Sequence, residues 1–319
     1  MYIDNKIAVV IPCFKVRNKI LEVISSIDDI VDFIYVIDDF CPQKTGEYVK
    51  NNCSDARVAV IFNEMNMGVG GAVMAGYRAA VEDKSDIIVK LDGDGQMDGR
   101  LIINFISPIQ RGDADYSKGN RFFNVEDVRQ MPKIRLFGNA ALSFITKISS
   151  GYWDVFDPTN GFTAIHRNVA KMLPYEKISK RYFFETDMLF RLNIMRCVVV
   201  DIPMVAKYDD EVSSLKVKSI FFEFLFKNIR NFWKRVFYNY YLRDMSAASI
   251  ELPIGILLMA FGVIFGIGKW AESSIAGVPT TPGAVMIVGI CLISGLQLIL
   301  SFLSYDIESV PKKAIHRYQ

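Results

Sequence analysis

The stretch "IIVKLDGDGQMDG", residues 87–99, sets four oxygen-bearing side chains, Asp92, Asp94, Gln96 and Asp98, directly behind an apolar run with strand character. Alternating Asp with interspersed Gly is how a calcium-binding EF-hand loop begins, but that loop needs Gly at its sixth position and Glu at its twelfth. Counted from Asp92, those places hold Met97 and Ile103, so a calcium loop is excluded. Two readings stay open from these residues alone: a solvated turn, or a clamp in which a hard divalent cation is shared with a substrate phosphate.

Outward from this stretch, short β-branched runs at 7–11, 33–38, 57–62 and 86–92 alternate with helix-length spacers. Continuously apolar strands of this kind belong to a mostly parallel sheet covered on both faces, and ligands bind such sheets beyond the carboxyl ends of the strands. Pro12-Cys13-Phe14, Asp38-Asp39, Asn63 and the Asp-rich stretch all fall at such ends. The coincidence favours a site over a solvated turn. Glycines 68, 70, 71 and 76 open the helix after the third strand. A dinucleotide fingerprint would follow the first strand and end on Gly where Val73 stands, so NAD is not expected. Close backbone approach to another nucleotide, or to a neighbouring element, remains open.

Residues 121–160 read as mixed helix and loop carrying Arg121, Arg129 and Arg135; 161–166 read as a strand, 181–196 as a helix and 197–203 as a last strand. The segment 216–244 reads as a basic amphipathic helix, with Phe222, Leu225, Ile229, Phe232, Trp233 and Val236 at helical spacing among Lys227, Arg230, Lys234 and Arg235. Such a helix lies in a membrane interface and attracts anionic headgroups; the alternative is a core helix of the soluble part. Leu252 to Ile267 and Ala284 to Leu303 are almost wholly apolar and approach the ~20 residues that cross a bilayer. With a short Gly- and Pro-punctuated connector, they form a hairpin, and basic residues on both flanks put both ends in the cytoplasm. The expected division is a domain over 1–215, juxtamembrane helices over 216–245, a hairpin over 246–308 with helices near 250–270 and 283–304, and a cytoplasmic tail over 309–319.

Composition agrees with one α/β domain plus a greasier part: 319 residues, 51% hydrophobic, formal net charge +2. No nucleic-acid footprint is visible. Five cysteines without Cys-x-x-Cys spacing fit free thiols in a reducing compartment, and with two histidines a zinc site is not expected. The N-terminus shows no signal-peptide pattern.

Taken together, "VVIPCF", "VIDDF", "NMGVGGAVMAGYRAA", "LDGDGQMD", "KGNRFF", "DPTNGFTAIHR" and "YFFETDMLFRL" resemble, in order and spacing, family 2 glycosyltransferases of the GT-A fold. The resemblance is to the polyprenyl-phosphate group, runs from about residue 6 to 216, and extends to the membrane hairpin. It implies an α/β GT-A domain, with a Rossmann-like nucleotide-binding sheet, followed by that hairpin. It also implies inverting transfer of a sugar from a nucleotide-sugar, a UDP-sugar by expectation, to a polyprenyl (undecaprenyl) phosphate. The setting would be a multi-pass inner-membrane homo-oligomer, such as a tetramer, with a cytoplasmic catalytic domain serving lipopolysaccharide or surface-polysaccharide synthesis.

Residue by residue, the resemblance assigns Asp94 and Gln96 to Mg²⁺ or Mn²⁺ and Asp92 to the donor sugar or phosphate. Pro12, Asp39 and Gly68 join Asp92 in the donor site, with Asp39 on the nucleobase. Arg121, Arg135 and Asn139 are assigned to the acceptor phosphate; Asp92, Asp94, Arg121 and Arg135 form the catalytic set. Asp98 falls outside the ligand pattern and is expected to cap the helix near Gly99. Two departures stand out. The family's basic motif after the last strand reads "YDDEVSS" (208–214) here, with Lys207 or Lys216 as substitutes, and "PCFKV" lacks the acidic residue usual near the first strand. A rival is transfer to a hydroxyl of a lipid-linked glycan, which needs a carboxylate base, with Asp157, Glu185 and Asp187 available. A non-catalytic nucleotide-binding adaptor is another.

Overall fold

The computed structural model describes residues 5–123, 133–205 and 217–318. Its centre is a seven-stranded sheet of β1 (Ile7–Cys13), β2 (Phe33–Asp38), β3 (Val58–Phe62), β4 (Ile87–Lys90), β5 (Tyr116–Asn120), β6 (Thr163–His166) and β7 (Val199–Pro203). The strand order is β3-β2-β1-β4-β6-β5-β7. The first four strands are parallel, as their apolar runs require: β1 and β4 are buried along almost their whole length. β6 breaks the parallel pattern by running antiparallel to both β4 and β5, while β5 and β7 are parallel.

β5, "YSKGN", is a strand that the apolar pattern does not signal. It is nevertheless buried at every position, because its polar side chains find partners inside. Asn120 donates to Asp201 at 2.8 Å, Ser117 donates to the Phe105 carbonyl at 2.7 Å, and the Lys118 ammonium donates to the Asp157 carbonyl.

The helices are α1 (Ile20–Ser25), α2 (Thr45–Asn52), α3 (Gly68–Glu82), α4 (Ile102–Gln110), α5 (Lys133–Ser150), α6 (Arg167–Met172) and α7 (Phe184–Ile194). α8 (Val217–Phe237), α9 (Ala247–Ala276) and α10 (Pro282–Glu308) follow. The mixed region after residue 121 thus contains a helix of 18 residues. α3 lies against β1 so closely that a Cβ on Gly76 would come within 2.2 Å of Val10, which is why a small residue stands there. Asp98 caps the turn that leads into α4, its carboxylate accepting the Arg100 amide at 3.1 Å.

The chain forms two compact units, one from residues up to Phe232 together with those from Pro311 onward, the other from Trp233–Val310, so the division falls inside α8. In the first, the returning segment docks through Asp115. Its buried carboxylate accepts the amides of Ile315 and His316, each at 2.9 Å, and the ring of His316 stacks on His166. In the second, α9 and α10 are antiparallel, since Gly255, Gly262 and Gly266 meet Gly295, Leu292 and Val288 in turn. A Cβ on Gly295 would sit 3.0 Å from the Gly255 carbonyl, the close backbone approach that small residues allow between membrane helices. Both helices are long and apolar enough to cross a membrane, and Leu257, Ile264 and Ile293 point outward.

α8 is amphipathic in an inverted sense. The face turned into the protein carries polar residues with buried partners: Asn228 accepts from the Ser149 hydroxyl, Asn231 donates to Asp187 at 3.1 Å, and Arg235 makes a two-pronged ion pair with Asp306 at 2.6 and 2.9 Å. The outward face carries Phe222, Phe226, Ile229, Trp233 and Phe237, with Phe226 70% exposed. Of the residues expected on one stripe, Phe222, Ile229 and Trp233 point out, whereas Val236 is buried and Leu225 and Phe232 are half-buried.

Candidate active site

The carboxyl ends of β1, β2 and β4 open into a cavity of about 1070 Å³ in the first unit. Pro12, Asp39, Gly68, Asp92 and Asp94 all line it, so five of the expected site residues share one space. Apolar side chains also line it, among them Ala141, Leu142 and Ile145 of α5 and Phe224 and Leu225 of α8.

Each acid at the end of β2 has a defined task. Asp38, beside the cavity-lining Asp39, accepts the amides of Cys41 and Gly46 at 2.7 and 2.6 Å and holds the turn into α2. Asp39 accepts from the Asn63 amide group and from the backbone of Met67 and Gly68, all at 2.8 Å, which ties β2 and β3 to the start of α3. A carboxylate has about four acceptor positions, so three occupied ones leave room for a ligand N–H.

The first glycines of α3 let a neighbouring segment approach the helix start closely. Gly68 has φ +76°, and a Cβ there would lie 2.5 Å from the Lys180 carbonyl; one on Gly70 would lie 2.4 Å from the Ser179 carbonyl. The neighbouring element that the glycine cluster admits is the 179–181 segment, which lies against the helix start.

At the floor, the Lys90 ammonium, 1% exposed, lies 2.9 Å from Asp92 and 3.3 Å from Glu185. Burial acts to lower the lysine's pKa, but the two carboxylates outweigh it and hold the ammonium protonated above its usual range. Burial raises the Glu185 pKa, with Lys90 working against the rise. The floor is packed tightly: a Cβ on Gly161 would fall 2.2 Å from Asp92 Oδ2 and 2.4 Å from Lys90 Nζ. Asp94 accepts the Gln96 amide at 3.0 Å across a turn in which Gly95 has φ +80°. The Gln96 side chain is not among those lining the cavity.

Arg121 grips Asp157 side-on, Nε to Oδ2 at 2.7 Å and Nη2 to Oδ1 at 2.9 Å. Burial would raise the Asp157 pKa, yet the Arg121 hydrogen bonds and charge hold it below the ordinary range. Asp187 is similarly engaged, by Arg191, the Ser179 amide and Asn231. Neither Arg121 nor Asn139 is among the residues lining the cavity, although Gly138, next to Asn139, is. The side chain of Arg135, and Arg129, Lys207, Lys216 and the 208–214 segment, lie outside the described residues.

Two basic residues of this region had not been assigned from the sequence. Lys90 was signalled by a charge inside an apolar strand, which demands a buried partner. Arg181, which lines the cavity beside Gly68, carried no signal beyond standing first in the segment 181–196 that reads as a helix.

The sequence profile described as glycosyl transferase family 2 matches residues 8–173, just over half of the chain. The chain belongs to this family. A relative from Methanococcus voltae, named UDP-N-acetylglucosamine--dolichyl-phosphate N-acetylglucosaminyltransferase, is 29% identical over 65% of this glycosyltransferase and 88% of its own length. A dolichol-phosphate mannosyltransferase from Pyrococcus furiosus is 27% identical over 68% and 61%. An undecaprenyl-phosphate mannosyltransferase from Micrococcus luteus is 27% identical over 54% and 70%. Among solved structures, glucosyl-3-phosphoglycerate synthase from Mycobacterium tuberculosis, crystallised with Mn²⁺, UDP and glucosyl-3-phosphoglycerate, superimposes with TM-score 0.52 at 18% identity. That match covers 72% of this chain and 80% of the other, and it establishes the GT-A fold of the glycosyltransferase.

Proposed function

We propose that this glycosyltransferase moves a sugar from a nucleotide-sugar, a UDP-sugar by preference, onto the phosphate of a polyprenyl lipid, with inversion at the anomeric carbon. The observation that carries the reading is the mixed lining of the cavity, with Asp39, Asp92 and Asp94 at the strand ends and apolar side chains from α5 and α8. The acids suit a nucleotide-sugar with its cation, the apolar side chains the proximal part of an isoprenoid chain. Relatives named for dolichyl and undecaprenyl phosphate acceptors support it.

The inverted α8 and the apolar hairpin support a bilayer setting. Large aromatic side chains turned outward along one face are unfavourable in water and favourable at a lipid interface. Basic residues on both hairpin flanks support a multi-pass inner-membrane protein with its catalytic unit cytoplasmic. Homo-oligomerisation belongs to the same reading.

A divalent cation fits the oxygen donors at the β4 end. Among the described residues no three His, Cys, Asp or Glu side chains are grouped to cage an ion alone. This matches Mg²⁺ or Mn²⁺ shared between one or two protein oxygens and substrate phosphates. Asp94 and Gln96 would hold it, and the ion would supply charge neutralisation of the departing diphosphate. Asp92, steadied by Lys90, orients the donor, and Asp39 accepts an N–H from the base. Arg121, braced by Asp157, and Arg135 and Asn139 position the acceptor phosphate. A phosphate monoester with a second pKa near ~6 is already a nucleophile at neutral pH. Positioning and electrostatics therefore carry the rate without a strong base.

Transfer to a hydroxyl is the second reading, and Glu185 is the observation that favours it: it lines the cavity and burial raises its pKa. Asp157 and Asp187 are poor bases, each being almost fully buried and held by an arginine. Purified protein offered undecaprenyl phosphate and, separately, a sugar on undecaprenyl diphosphate, with UDP-glucose, UDP-N-acetylglucosamine and GDP-mannose, separates the two. Labelled sugar on the monophosphate lipid supports the first reading. Transfer only to the lipid-linked sugar, lost in Glu185→Gln, overturns it.

A further inference from the structure

A nucleoside diphosphate brings two to three negative charges into a cavity already lined by Asp39, Asp92, Asp94 and Glu185. The divalent cation proposed above offsets part of it, and among the protein's own groups the sources of further counter-charge are few. The Lys90 ammonium is buried between Asp92 and Glu185 and is spent on them. The amino end of α3, otherwise a ready anion site, is largely spent: Asp39 takes the Met67 and Gly68 amides, and the Lys180 carbonyl takes those of Gly70 and, at 3.4 Å, Gly71.

One cation is left. Among the described residues lining the cavity, Arg181 is the single basic side chain, and its guanidinium has no hydrogen-bond or ion-pair partner among them. Its backbone is fixed by the hydrogen bond of 2.9 Å from Gly70 to the adjoining Lys180 carbonyl. Its Cγ lies 3.0 Å from where a Cβ on Gly68 would stand, and Gly68 is itself bonded to Asp39. Arg181 therefore stands next to the nucleoside end of the cavity.

Resting on the donor reading above, we propose that Arg181 is a diphosphate-binding residue of this enzyme, its planar fork meeting the donor phosphates. Geometry assigns it to the donor rather than the acceptor, because its neighbours are Gly68 and the Lys180 backbone at the start of α3. Arg suits the task by offering parallel N–H donors to phosphate oxygens.

The test uses full-length protein in detergent with Mn²⁺. UDP and GDP are titrated calorimetrically, and uridine and guanosine by saturation-transfer NMR, against wild type, Arg181→Ala and Arg181→Lys. Loss of a charge-assisted contact weakens the diphosphate that wild type binds by about ten- to a hundredfold in Arg181→Ala. Nucleoside binding and the KM for undecaprenyl phosphate stay unchanged, and Arg181→Lys recovers part of the loss. Unchanged diphosphate affinity overturns the assignment, as does a parallel loss of nucleoside binding, which would report a deformed pocket. A raised KM for undecaprenyl phosphate with normal diphosphate affinity overturns it in favour of an acceptor contact. Wild type that transfers sugar normally while Arg181→Ala behaves like it sinks this assignment alone. Wild type that binds neither diphosphate sinks the donor reading, and this assignment with it.

Discussion

Gly161→Ala adds one methyl group at the floor of the site, where its carbon would stand 2.2 Å from Asp92 Oδ2 and 2.4 Å from Lys90 Nζ. Ordinary contact between such atoms needs about 3.4 Å, so one or both must retreat by roughly an ångström. Lys90 has nowhere to go: it is 1% exposed and already reaches Glu185. The displacement therefore falls mainly on Asp92. Overpacking of this kind costs about 1–3 kcal/mol, enough to lower the melting temperature by several degrees without unfolding the protein. A shift of about 1 Å in a substrate-positioning group is worth about a hundredfold in rate. Initial rates of transfer at saturating donor and acceptor, with melting curves on the same preparation, measure both effects. A Gly161→Ala enzyme within threefold of wild-type rate at normal melting temperature would show that Asp92 is not held where the donor needs it.

Lys90→Met leaves Asp92 and Glu185 facing each other across a buried gap. Removal of one partner from a buried ion pair costs about 3–5 kcal/mol, and adding Glu185→Gln should recover part of the lost melting temperature; an additive double mutant would argue against coupling. The His166 ring accepts the Asn168 amide and stacks on His316. Burial, with the His316 charge second, lowers its pKa from 6.5 to about 4. Its folded pKa is below its unfolded one, so its contribution is complete above pH 6.5 and is lost as pH falls toward 4. Between pH 7.5 and 5 this amounts to about 1 kcal/mol after discounting for partial exposure; the melting profile of His166→Phe should lack this component, and superimposable profiles would refute it. With Trp153 and Trp270 replaced by Phe, fluorescence of Trp233 in liposomes should be quenched by lipids brominated near the headgroups; quenching by aqueous iodide alone would remove the outward face of α8 from the interface.

Strands β1 to β4 were legible because each is a continuous apolar run, and the site lay where such strands end. Asp39, Asp92 and Asp94 could be placed from that rule before any contact was known. β5 was not legible, since its burial depends on partners for Lys118, Ser117 and Asn120 that lie far along the chain. The antiparallel direction of β6 was hidden for the same reason, as pairing partners are not written in a strand's own composition. Periodicity marked α8 as amphipathic, but spacing alone does not say which face meets the protein. That depended on Asn228, Asn231 and Arg235 finding Ser149, Asp187 and Asp306. Gly68 was expected in the donor site and lines the cavity, and its being glycine is required by the Lys180 carbonyl passing over it.

The most direct test follows the products of a single reaction. Purified protein, Mn²⁺, undecaprenyl phosphate and a labelled nucleotide-sugar should yield one nucleoside diphosphate for each undecaprenyl-phosphosugar, identified by mass spectrometry, with the anomeric configuration inverted. Chelation of the metal or Asp94→Ala should abolish both products together. Nucleoside diphosphate released without sugar on the lipid phosphate, for every donor supplied, would contradict the proposed reaction.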